Sequence, residues 1–152
     1  LKLFFTAHGY RKLFPKMNGL EEKIPSLQYF AIQVYITPLN LENPTIPNDL
    51  TGLIQNTKIK LEDYNIATKK IILTLYGNKN TIQISKKKLE RNAYILLLFT
   101  LGEIKYRKHI YDFNCEALPQ NTNGLLSLSE LPEFIDYLAK INYSRKLKIF
   151  FE

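Results

Sequence analysis

The chain has 152 residues, of which 45% are apolar, including nine phenylalanines and ten tyrosines. A chain of that size buries roughly 68–70% of its unfolded surface, which excludes wholesale disorder and points to one compact domain over residues 1–152. The net charge is +7, and the single cysteine, Cys115, excludes an internal disulfide and a thiolate-rich metal centre and suits a reducing, intracellular compartment.

In chain order, LKLFFTA (residues 1–7) is short, apolar and aromatic and is expected to be a strand. The start lacks both an initiator methionine and a signal-peptide layout, so it reads as a processed or truncated terminus. Gly9, Pro15 and Gly19 then interrupt a basic stretch containing Arg11, Lys12 and Lys16. From Leu27 to Thr37, Phe30, Ile32, Val34 and Ile36 alternate with their neighbours, the pattern of a strand with one buried face. The Pro- and Asn-rich segment 38–48 is a long loop and a candidate sub-boundary. Asp49 can cap a short helix through Ile54, and Lys58 to Glu62 alternates as a surface strand.

The most regular stretch is Lys70 to Glu103. Ile71 to Tyr76 is expected as a strand, Gly77 to Asn80 as a turn, and Thr81 to Ile84 as the returning strand. Ser85 then stands as N-cap of a helix over 85–101 whose second half is apolar nearly all round, closed by Gly102. Glu103 to Phe113 reads as a strand and Asn114 to Leu128 as a polar, turn-rich loop. A last helix opens at Ser129 or Leu131, with Pro132 in its first turn, and runs to about residue 142. Lys146 to Phe151 closes the chain as a strand. Strands outnumber helices without regular alternation, so the predicted class is α+β: a mainly antiparallel sheet packed on the central helix and the C-terminal helix.

No P-loop, dinucleotide-binding glycine motif, zinc-protease motif or serine-hydrolase elbow is present, and no cofactor is expected. No apolar run of 18 residues occurs, so no membrane span is expected either. Paired acids at Glu21-Glu22 and Glu62-Asp63 read as solvated surface, and the Asn142-Tyr143-Ser144 sequon as accidental. His109 and Cys115 alone are too few ligands for zinc.

Two resemblances bear on function. FFTAHG ending at His8-Gly9 and HIYDFNC ending at Cys115 resemble the strand-end histidine and cysteine of caspase-like cysteine proteases, which implies acyl transfer by a His-activated thiolate. Acidic Glu116 beside the thiol departs from that pattern. The run from Lys70 through Leu89 and YILLLF (residues 94–99), with FIDYL (residues 134–138), resembles a BTB/POZ domain over residues 70–143. That resemblance implies a non-enzymatic protein–protein interaction module.

Basic clusters carry the leading expectation. They are Arg11-Lys12 beside Tyr10 and Phe14, then Lys86-Lys87-Lys88, then Lys105, Arg107 and Lys108, and finally Arg145, Lys146 and Lys148. Interleaved cations and aromatics suit phosphate contact and base stacking. Lysines in the first turn of a helix oppose its dipole, and an external anion would compensate them. A general richness in Asn, Ile, Lys, Tyr and Phe, as in AT-rich coding sequence, also raises the charge without any such partner. The expected role is a non-catalytic basic subunit of a ribonucleoprotein-type assembly, in contact with RNA or DNA phosphates and with other protein subunits.

Overall fold

The computed structural model describes residues 2–7, 10–43, 46, 48–78 and 85–151, with side chains to residue 141. The fold is α+β. Strand β1 (Lys2–Phe5) leads through a 3-10 turn (Arg11–Leu13) into helix α1 (Phe14–Lys23) and strand β2 (Ala31–Val34). Helix α2 (Asn48–Asn56) precedes strands β3 (Lys58–Asn65) and β4 (Lys70–Gly77). Helices α3 (Lys86–Leu101) and α4 (Glu103–His109) then carry the chain to β5 (Ile110–Ala117), the two-residue β6 (Leu126–Ser127) and helix α5 (Leu131–Phe151).

The main sheet has the order β5-β4-β3-β6 and is mixed. β3 pairs antiparallel with β4 and β6, whereas β4 and β5 run parallel, with α3 and α4 forming the crossover. Parallel pairing needs such a long connection, and it explains β4. Ile71, Leu73, Leu75, Thr74 and Tyr76 are all buried, because a strand with neighbours on both edges and helices nearby is covered on both faces. β3 instead alternates, with Ile59 buried, and a bulge at Glu62 turns that carboxylate to accept from the Thr74 hydroxyl at 2.7 Å. Ala93, Leu97 and Leu101 of α3 meet Leu73, Ile59, Ile54, Leu128, Leu131 and Ile135 in one core.

β1 and β2 form a separate parallel ladder, with α1 as its crossover. Tyr35 closes it: its φ of 68° ends β2, and its hydroxyl hydrogen-bonds the Phe14 carbonyl (2.9 Å) and Asn18 Oδ1 (2.7 Å). The following residues hold this unit to the core. Leu39 N–H donates to Phe99 O, and Glu103 N–H donates to Ile36 O. The buried Glu103 carboxylate accepts from Ile36 N–H at 3.2 Å.

Several predicted elements are corrected. Glu103 to Phe113 is not one strand: Glu103–His109 is helix α4, and β5 starts at Ile110. Glu103, Tyr106 and Ile110 point inward at helical spacing, and an acid in the first turn with three bases in the last matches the helix dipole. The chain over 114–117 continues β5 instead of looping. Lys146 to Phe151 is the end of α5, not a strand, because no Gly or Pro after Pro132 stops the helix. Pro15 and Gly19 do not break α1; Pro15 sits in its first turn, where the missing N–H costs nothing. The strand expected over 27–37 shrinks to β2, leaving Leu27, Tyr29 and Phe30 exposed. The predicted returning strand at 81–84 lies outside the described residues, and the described partners of β4 are β3 and β5.

At the start of α5, Ser127 N–H donates to the Glu130 carboxylate (2.7 Å), while the Ser127 hydroxyl donates to Gln55 O (2.7 Å). Glu130→Ala should therefore cost about 1 kcal/mol, read as a lower denaturation midpoint at unchanged slope.

Candidate anion-binding surface

Three chain segments converge at the end of the sheet where β4 and β5 begin. The β3–β4 turn supplies Lys69, held at φ 58°, and Lys70. The last turn of α4 supplies Arg107 and Lys108, both exposed. The 3-10 turn supplies Arg11. Lys70 Nζ donates to the Arg107 carbonyl, which pins the turn to α4. Its ammonium pKa is lowered, first by burial and then by the positive charges of Arg107 and Arg11. Like charges gathered this way repel one another, and a bound anion relieves that repulsion.

Exposed aromatics border the cations. Tyr10, preceding Arg11, is 65% exposed, and Tyr111, the second residue of β5, is 75% exposed. Of the acids nearby, Asp136 accepts from Lys105 Nζ at 2.9 Å, and Asp112 accepts from Phe113 N–H at 2.8 Å.

His109 sits beneath this surface, buried, with Nδ1 3.0 Å from the Lys69 carbonyl. The contact requires Nδ1 to carry the proton and donate. Burial, joined by the charges of Lys108 and Lys105, lowers the imidazole pKa despite the Lys69 hydrogen bond and Asp136. The unfolded chain thus binds the proton more readily than the folded one, so stability is full above about pH 6.5 and falls as pH drops below it. Denaturation at pH 8 and pH 5.5 should show that loss, and His109→Gln should reduce it.

The basic residues singled out in the sequence do not form one patch. Arg11 and Arg107 both act on Lys70, and Lys108 adjoins Arg107 in the last turn of α4. Lys12 lies exposed in the same 3-10 turn. Lys105 is tied to Asp136 and to the Pro132 carbonyl, so it serves as a clamp between α4 and α5. Lys86, Lys87 and Lys88 do occupy the first turn of α3 after Ser85, whose side chain makes no cap hydrogen bond, and Lys86 is 3.9 Å from Glu90. They lie at the other end of the sheet. Glu90 acts electrostatically on Cys115, near the finish of β5, whereas Arg107 precedes its start, and eight strand residues span about 26 Å. The side chains of Arg145, Lys146 and Lys148, on α5, lie outside the described residues. Lys70 and Lys69 escaped sequence reasoning because their strand looked purely structural.

Cys115 and His109 do not come together. His8 lies outside the described residues, and β1, which leads towards it, belongs to a different ladder from β5. Burial first and Glu90 second push the Cys115 thiol up, away from thiolate. His109 and Cys115 stand at opposite ends of β5, and among the described residues no group of three His, Cys, Asp or Glu could hold a metal. No described helix is long and apolar enough to cross a membrane.

A cleft of about 640 Å³ opens between α2, the first half of α3 and the ends of β4 and β5, with Cys115 in its wall. The sequence matches no family model, no curated protein and no solved structure.

Proposed function

We propose that this chain is a non-catalytic binding component that docks on a nucleic-acid backbone, RNA above DNA, as a basic subunit of a ribonucleoprotein-type assembly. The observation that carries the reading is that Lys70, partly buried and donating to the Arg107 carbonyl, lies within the field of Arg107 and Arg11, with Lys108 next to Arg107 in the same helical turn. Phosphates satisfy those cations, and the exposed rings of Tyr10 and Tyr111 suit stacking on unpaired bases. Affinity for a single-stranded oligonucleotide should fall steeply between roughly 50 and 200 mM salt. Absence of binding at roughly 50 mM salt would sink the proposal.

A protein-facing side of the same role is supported by the β1–β2 ladder. Leu3, Phe4 and Phe5 on β1, with Tyr29 and Phe30 before β2, are at least 40% exposed. Apolar surface of that kind suits contact with another subunit or with a second copy, in line with the protein–protein interaction module that the BTB-like resemblance implies. Light scattering distinguishes the two: a salt-insensitive homodimer favours self-association, and a monomer favours a different subunit.

A further inference from the structure

The cleft at the far end of the sheet has a chemistry opposite to the basic surface. It lies outside the carboxyl ends of the parallel strands β4 and β5, on the side where their crossover helix α3 begins. Crevices in that position are where sheets with parallel strands take ligands, because the strand ends and the following segments diverge there. Its volume of about 640 Å³ suits a small molecule. Leu53 from α2 and Leu89 and Leu96 from α3 supply apolar walls, and the buried Leu75 and Ala93 supply the floor.

In a chain of net charge +7, the charged groups lining this cleft among the described residues are two carboxylates: Asp49 from α2 and Glu116 from β5. Among the described residues neither takes part in a salt bridge. The asparagines of the rim, including Asn56 and Asn92, add neutral hydrogen-bonding groups. Lys86, Lys87 and Lys88 stand within a turn of Leu89 but do not line the cleft, and Lys86 leans towards Glu90.

We infer that this cleft binds a small organic cation: a flat apolar body lodged between α2 and α3, with a protonated amine held between Asp49 and Glu116. The apolar walls bury the body and the two carboxylates select the charge. The site is independent of the nucleic-acid surface, and neither reading stands or falls with the other.

Cys115 makes the inference directly measurable, because it lines the cleft and is the chain's single cysteine. Tryptamine should slow alkylation of Cys115 by iodoacetamide saturably, reaching roughly tenfold when the site is about nine-tenths occupied. Indole-3-propionate has the same ring with a carboxylate in place of the amine, and it should protect far less. Asp49→Asn with Glu116→Gln should abolish the tryptamine protection; both residues are exposed, and an unchanged melting temperature confirms that the variant is folded. No protection by saturating tryptamine would overturn the inference. So would equal or better protection by indole-3-propionate, or protection undiminished in the folded double variant.

Discussion

The triple variant Arg11→Gln, Arg107→Gln, Lys108→Gln should bind single-stranded RNA roughly 10- to 100-fold more weakly at low salt, while melting at or above the wild-type temperature. The three side chains are exposed, and among the described residues none forms an ion pair with an acid, so their removal costs no described salt bridge. Lys70 should in fact relax, because two of the three causes that lower its pKa are removed. The dependence of log affinity on log salt should become shallower by about 2, since each lost single-strand phosphate contact contributes about 0.7. The comparison variant is Lys86→Gln, Lys87→Gln, Lys88→Gln. Those lysines open α3 at the opposite end of β5, a strand of eight residues or about 26 Å. Its fold should also survive, and its affinity for a short strand should fall much less than that of the first triple. Equal losses in the two triples would show that charge acts diffusely and that no particular surface is involved.

Gly102→Ala should produce the largest loss of stability of the single substitutions considered. Gly102 ends α3 at φ 74°, in the left-handed region that disfavours any side chain, and its N–H donates to Leu98 O. A Cβ there would also stand 2.6 Å from Pro38 Cδ and 3.1 Å from Pro38 N. Pro38 cannot retreat freely, because Ile36 and Leu39 on either side are hydrogen-bonded to Glu103 and Phe99. Backbone strain and clash together should cost about 3 kcal/mol, a drop of about 6–12 °C in melting temperature at this chain length. Gly124→Ala separates the two causes: its φ is 80°, but nothing lies within 4 Å of the added Cβ, so only the conformational cost of about 1 kcal/mol remains. If the two variants melted together, the close approach of Pro38 would not be what Gly102 is for.

Legibility in the sequence followed the range of the forces involved. Helix α3 was readable because its signals are local: Ser85 before it, an apolar second half, and Gly102 after it. The same holds for Pro132 in the first turn of α5 and for the strand identity of Ile71 to Tyr76. Elements decided by tertiary contact were not readable. Glu103 to His109 alternates well enough for a strand, and its place between Tyr94, which packs edge-on against Tyr106 at 5.3 Å, and the Ile36 backbone favours the helix. The parallel pairing of β4 with β5 joins segments 40 residues apart and leaves no periodic trace. The site was half legible for the same reason. Clusters of lysine and arginine are visible along the chain, but which of them meet is set by topology. Lys105 looked identical to Arg107 in the sequence, yet one is spent on Asp136 and the other faces solvent.

The central claim is that one surface, at the start of β4 and β5, meets the nucleic acid. Titrating a short single-stranded RNA into 15N-labelled protein at roughly 50 mM salt tests it most directly. The largest amide shifts are expected at Arg11, Lys70, Arg107, Lys108 and Tyr111, with Lys87 nearly still. Shifts centred on Lys86 to Lys88, or no shifts at all, would contradict it.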